Sequence, residues 1–301
     1  MSSSLTLAAE PTGQRPRRLL LALGGTLIAA TYLFLVIVQP AELAGGVGST
    51  ASLVSLVGFL GGGSLLVAGI LPMLSTSSLV VMPLGIALNI AVGQIAGTLG
   101  LQIYLDAIGT VLVAVLAGPA AGAATGALSN AVWGLFNPFA LPFAAGAALI
   151  GLLAGLAAKH GAFRRVYLAP AAGLVVGAVG GLVAAPVAVF MFGAAGTFGT
   201  NAIIAVFRSM GDKLLVAATK QGLLSDSLDK VVVFLVVALI VYALPRRAVR
   251  QFPFARTHRV LGSRTDDRTQ QRAGANHSGS APGQDMSGER RATPGKFSDG
   301  A

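Results

Sequence analysis

The chain has 301 residues, a net charge of +10, a mean hydropathy of +0.77 and only 11% charged residues, where a soluble domain carries about 25%. It has no cysteine and three histidines, His160 in a basic loop and His258 and His277 toward the C-terminal end, so disulfides, thiol nucleophiles and Cys- or His-rich metal sites are excluded. The positive charge does not describe a nucleic-acid grip: 11 of the 21 Lys and Arg follow Leu244, and Arg15, Arg17 and Arg18 precede the first apolar run, positions that orient membrane spans.

Residues 1–18 read as a cytoplasmic amino-terminal segment. Leu19–Val38 exceeds the apolar region of a signal peptide, about 7–15 residues, and lacks an Ala-x-Ala cleavage pattern, so it reads as an uncleaved first span. Further apolar stretches follow at Ser52–Leu74, Leu79–Gly97, Ala107–Ala117, Ala120–Trp133, Phe139–Ala158, Val166–Phe192 and Leu228–Leu244. Nearly every face of these segments is apolar, which predicts an all-α, polytopic membrane helical bundle of eight spans. Residues 253–301 are polar and predict a disordered cytoplasmic tail.

Lys and Arg in the loops set the orientation. The amino terminus, the Lys159–Arg165 loop and the Arg246–Arg250 stretch fall on one face, which predicts a cell-membrane protein with both termini cytoplasmic. The loops at 39–51, 98–106 and 134–138 carry no Lys or Arg and fall outside, as does the longer 193–227 loop. Ala107–Ala117 is short, about 16 Å of helix against a hydrocarbon core of about 30 Å. Either its ends lie elsewhere, or it leaves room for a binding site on the outer side. In the 201–221 segment, Ile203, Phe207, Met210, Leu214 and Ala217 recur at helical spacing. They predict one amphipathic helix, either a lid or an interfacial element.

Small residues recur at every fourth position in Ala87/Ala91, Gly93/Gly97, Gly118/Gly122/Gly126, Ala147/Gly151/Gly155 and Gly173/Gly177/Gly181. Such ladders let helices approach closely, within the bundle or against another subunit; Ala87/Ala91 is the best placed for the second role.

Polar residues on the outer side gather in three places. The first holds Gln102, Tyr104 and Asp106; the second holds Asn130, Trp133 and Asn137. The third, 193–230, contributes Arg208, Gln221, Asp226, Asp229 and Lys230 among others. From these, Tyr104, Asp106, Asn130, Trp133, Asn137, Arg208, Gln221, Asp226 and Lys230 are the candidate substrate-binding residues, because aromatic, amide and charged groups together suit a small polar ligand with a ring. Lys230 and Arg208 point to an anionic group on it. Local roles compete: Asp106 and Asp226 as helix caps, Tyr104 and Trp133 in an aromatic belt, Asn89 and Gln94 in hydrogen bonds between helices. There is no Gly-x4-Gly-Lys-Ser/Thr, so the chain is not expected to hydrolyse ATP, and no His-Glu-x-x-His or Gly-x-Ser-x-Gly. No span is expected to hold paired carboxylates, which argues against a self-standing secondary transporter. No cofactor or catalytic residue is predicted.

The runs Ala87-Leu-Asn-Ile-Ala91, Tyr104-Leu-Asp-Ala-Ile-Gly109, Ala117-Gly-Pro-Ala-Ala-Gly-Ala-Ala-Thr-Gly126 and Gln221-Gly-Leu-Leu-Ser-Asp-Ser-Leu-Asp-Lys230 resemble the substrate-binding S components of energy-coupling factor (ECF) transporters. The resemblance covers about 79–252. It implies a six-helix membrane core that captures a vitamin or similar micronutrient from outside. It also implies partners, an ECF transmembrane coupling subunit and two ABC ATPases, with Ala87 and Ala91 docking the coupling subunit. The two spans within 19–78 depart from the six-helix pattern. The competing class is a non-transporting membrane protein, an assembly factor or an intramembrane enzyme using Asp106 and Asp226.

Overall fold

The computed structural model describes residues 14–39, 49–100, 103–194 and 198–261. The start of the amino-terminal segment, 40–48 of the first outer loop, Gln102, 195–197 and the 262–301 part of the expected tail lie outside the described residues.

No strand occurs among the described residues. The helices are α1 (Gln14–Val38), α2 (Thr50–Ile70), α3 (Thr76–Thr98), α4 (Ile108–Ala117), α5 (Pro119–Trp133), α6 (Ala144–Lys159), α7 (Leu168–Phe192), α8 (Phe198–Ser209), α9 (Leu214–Ala243), α10 (Arg246–Arg250) and α11 (Pro253–Thr257). Five stretches, Arg15–Val38, Thr50–Met73, Thr76–Thr98, Leu141–Lys159 and Leu168–Phe192, are long and apolar enough to cross a bilayer. The protein is a membrane protein.

Local chemistry sets most boundaries. The Ser49 and Ser75 hydroxyls accept hydrogen bonds from the Ser52 and Ser78 backbone N–H groups (3.1 and 3.2 Å), starting α2 and α3. Gly118, at φ 100°, and Pro119 break α4 from α5. Pro suits the first position of α5 because its missing N–H would have no helical partner there. The Phe254 ring lies against Gly118, 2.9 Å from where a Cβ would stand.

The 10-residue α4 is the centre of the bundle: Val111, Val113, Ala114 and Val115 are fully buried. Neighbouring protein shields its short length from lipid, which is how a half-length helix is tolerated at membrane depth. Around it, α3 packs on α4, α5 packs on α4 and α6, and α7 pairs with α9. The first two helices form a hairpin that joins the bundle through α2 on α5 and a hydrogen bond from the Tyr32 hydroxyl to the Val183 carbonyl, 3.0 Å. On α7, Gly173, Gly177 and Gly181 lie against the backbone of Lys230, Asp226 and Gly222 on α9. A side chain at any of the three would meet main chain, so this ladder serves packing inside the bundle.

The basic loops gather at one end. The Tyr242 hydroxyl donates to the Arg164 carbonyl (2.5 Å), Arg164 Nη2 to the His258 carbonyl (3.4 Å), and Ser77 Oγ to Gln251 Oε1 (3.2 Å).

Five expectations need correction. The 201–221 segment is not one helix: α8 ends at Ser209, the chain turns at Gly211 (φ 96°), and α9 starts at Leu214. The last long helix therefore begins well before Leu228. Asp226 lies inside it and caps nothing, because the helix-favouring run Leu214–Lys220 continues unbroken through it. Nor does Asp106 cap α4, whose N-cap is Ala107. Finally, 253–261 is not an open tail: α11 forms there, and Phe252, Ala255 and Val260 are buried.

Candidate functional site

Two buried polar clusters meet the start of α4. The first is neutral and centres on Asn89 of α3. Its amide donates to Thr110 Oγ1 (2.7 Å) and Ser129 Oγ (2.9 Å), while its Oδ1 accepts from the backbone N–H groups of Gly109 (2.7 Å) and Thr110 (3.2 Å). Asn89 thus caps α4 from a neighbouring helix. All four of its hydrogen-bond positions are filled, as expected of an inter-helix polar residue.

The second cluster is charged. Gln221, Ser225, Asp226, Asp229 and Lys230 recur along α9 at three- and four-residue spacing, which places them on adjoining strips of one helix. Lys230 is 2% exposed and Asp229 fully buried. Lys230 Nζ forms an ion pair with Asp229 Oδ2 and lies 3.8 Å from Asp106 Oδ1, on the loop before α4. The other Asp229 oxygen accepts the Leu105 N–H at 2.7 Å. Leu105 has φ 53°, a left-handed conformation that is strained for a branched side chain and persists only where the surroundings enforce it. Asp229 is one such constraint, and it fixes the turn carrying Tyr104 and Asp106 against α9.

Aromatic and amide groups border the charges. Gly93 of α3 lies under both the Trp133 ring and Asp106, so these two side chains share one patch of α3. Trp133 Nε1 donates to Gln94 Oε1 at 3.2 Å. The Tyr104 hydroxyl is 3.4 Å from Thr200 Oγ1 on α8 and lies near Gln221, whose Nε2 donates to Ser225 Oγ at 2.8 Å. Asp226 has no hydrogen bond or ion pair among the described residues and senses Lys230, Asp229 and Asp106 through space. One ammonium therefore faces three carboxylates. The 10 residues of α4 separate Asp106 from the Gly118 turn by about 15 Å of helix. Ionisable residues inside a bundle of apolar helices are costly to bury, which makes this cluster the candidate site.

Of the expected site residues, Tyr104, Asp106, Trp133, Gln221, Asp226 and Lys230 come together. Three do not. Asn130 is buried in α5 without a hydrogen bond to the cluster. Asn137 turns back on its own loop, where its Oδ1 accepts the Phe139 N–H at 3.3 Å. Arg208 is exposed at the end of α8. The inference of an anionic group weakens accordingly, since Arg208 is absent from the cluster and Lys230 is already paired. Paired carboxylates do occur within a long helix, contrary to expectation, because α9 starts early enough to enclose Asp226 and Asp229. Asp229 is the residue that sequence reasoning undervalued; its signal was a carboxylate beside Lys230 inside an otherwise apolar run.

Above the cluster, α8 is held by a small separate apolar group: Ala194, Ile204, Ala217 and Ala218, flanked by Val189, Phe207 and Leu214. Asp212 and Lys220 bridge its far end at 2.6 Å. Ala87 and Ala91 are exposed on α3, in one strip with Leu84 and Ile95. Comparison of the chain with protein-family models, with curated proteins and with solved structures finds no match.

Proposed function

We propose that this protein is the membrane substrate-capture subunit of an ECF-type importer, taking a vitamin-like micronutrient from outside and relying on a coupling subunit and two ABC ATPases for energy. One observation carries the reading. Residues from the loop before α4, the end of α5 and the middle of α9 meet in a polar cluster inside the helical bundle, with Trp133 on one side and Tyr104 under α8 on another. Asp106 is the least buried member of the ion-pair group, its side chain 32% exposed. An excess of carboxylates over ammonium favours a solute bearing a positive charge, and Trp133 suits a ring or a cation above its face. The free strip of Ala87 and Ala91 supports docking of a partner helix, since small residues let backbones approach closely. In this reading the bundle comprises eight spans, a six-helix core of α3–α7 and α9 with the α1–α2 hairpin added, and both termini are cytoplasmic.

Mass spectrometry of small molecules released from the detergent-purified protein tests the proposal. The expected result is one compound at near-stoichiometric amount, lost in Trp133→Ala and in Asp226→Asn. A protein that is empty and also binds nothing from a metabolite library would sink it.

The carboxylates around Lys230 also favour a second reading, a carrier that moves its solute by itself in exchange for protons. Proteoliposomes holding only this chain distinguish the two. Solute accumulation driven by an imposed pH gradient supports the second reading; binding without accumulation supports the first.

A further inference from the structure

We propose that the groove between α6 and α7 at the basic end is a seat for one anionic phospholipid, with an acyl chain along α7 and its phosphate on the Lys159–Arg164 loop. The groove has a volume of about 500 Å³ and is lined by Leu153 and Ala157 of α6, Gly161 of the loop, and Leu168, Ala172 and Val179 of α7. From Leu168 to Val179 is about 16 Å of helix, the depth of one leaflet of a hydrocarbon core of about 30 Å. Its walls are apolar and Val175 on its rim is 64% exposed, a surface that only an apolar chain matches.

The mouth of the groove is charged and rigid. Lys159, His160 and Arg164 are exposed there. Phe163 is fully buried and stacked on Phe234, with centroids 5.5 Å apart, which anchors the loop between them. The loop closes on itself through Ala162 N–H to the Ala157 carbonyl (2.9 Å) and Arg164 N–H to the Gly161 carbonyl (3.0 Å), and the Tyr242 hydroxyl holds the Arg164 carbonyl. Gly161, at φ 91°, lets the Arg164 side chain lie across it: a Cβ there would stand 2.9 Å from Arg164 Cδ and Nε. The guanidinium is thereby held beside Gly161, one of the groove's lining residues, with Nη2 on the His258 carbonyl at 3.4 Å.

Charge complementarity selects the headgroup. The four carboxylates among the described residues, Asp106, Asp212, Asp226 and Asp229, belong to the loops and helix segments of the opposite half of the bundle. No described acid therefore competes with a phosphate for these cations. Basic pockets between spans at such an interface hold anionic headgroups, and the exposed Tyr167, with Arg165 over its ring at 5.9 Å, marks the headgroup level. The seat is independent of which solute the charged cluster takes.

Native mass spectrometry of the full chain, delipidated and then titrated with phosphatidylglycerol or phosphatidylcholine of matched acyl chains, tests the proposal. The expected result is one retained phosphatidylglycerol, preferred roughly tenfold over phosphatidylcholine. The preference falls to near unity in Lys159→Gln/Arg164→Gln, whose thermal unfolding is compared with the parent's because Arg164 also donates to the His258 carbonyl. Ala172→Phe, which fills the groove, lowers retention of both lipids; its thermal unfolding is compared with the parent's to show that it is folded. Equal retention of the two lipids would overturn the proposal. So would a preference unchanged by the double substitution, or a groove whose filling abolishes self-association and leaves lipid retention untouched.

Discussion

The Asn89 and Lys230 clusters are both buried, both reach α4 and both join three segments of chain, yet their chemistry is opposite. Around Asn89 every donor and acceptor of the amide is used inside the protein. Around Lys230 three carboxylates share one ammonium, and Asp226 has no hydrogen bond or ion pair among the described residues. A closed neutral network is a pin: it fixes where α3, α4 and α5 meet and has nothing left to offer a ligand. A charged network with unused acceptors is incomplete, and in a low-dielectric interior that incompleteness is costly unless something completes it. On the proposed function, the difference separates a cluster that only holds the fold from one that also offers acceptors to a solute.

Asp229→Ala is expected to break this distinction most severely. It strands a buried ammonium and the Leu105 N–H together, and removing one partner of a buried pair costs about 3–5 kcal/mol. Thermal unfolding in detergent should register the loss. Asp229→Leu/Lys230→Met should be markedly more stable than Asp229→Ala, because no unpaired charge remains. If the two variants unfold alike, the ion pair is not what holds that turn.

Asn89→Ala comes next, at about 2–3 kcal/mol, since it leaves the first N–H groups of α4 without acceptors. Solute affinity, measured on the protein that stays folded, should change far less than stability does. A variant of normal stability that has lost binding would place Asn89 in the site instead of the pin.

Asp226→Asn reverses that pattern. With no partner among the described residues to lose, it should shift stability by less than about 1 kcal/mol, while binding of a cationic solute weakens about tenfold or more. An equal loss for a neutral analogue of that solute would argue against a charge-recognising role. Smallest of all is Ala87→Leu/Ala91→Leu. Both residues are exposed, so unfolding and solute binding should stay within about 0.5 kcal/mol of the parent, whereas co-purification with a coupling subunit should be lost. Retained co-purification would free the α3 strip from its proposed role.

The legibility of this site varied with residue type. Trp133, Tyr104, Asp106 and Lys230 stood out because polar and aromatic groups are scarce in an apolar chain. Arg208 and Asn137 stood out for the same reason and lie apart from the cluster, because scarcity flags a residue without saying which way its segment faces. Asn137 satisfies its own turn, and Arg208 sits past the last packed turn of α8. Asp229 was hidden by the expectation of a helix start at Leu228, where a carboxylate reads as a capping or dipole partner.

By itself, the sequence determined the membrane class, the apolar segments and most of their ends, because these follow from local rules: hydropathy over a span's length, Ser caps, and the Gly118-Pro119 break. It also determined which ladders allow close packing, since a missing Cβ is a property of one residue. Only the tertiary structure decided that α9 runs unbroken from Leu214, that Asp229 reaches across to Leu105, and that the Lys159–Arg165 loop stands at the mouth of a groove. Each depends on which groups from distant segments neutralise or cover one another, and that energy exists only once the helices are packed.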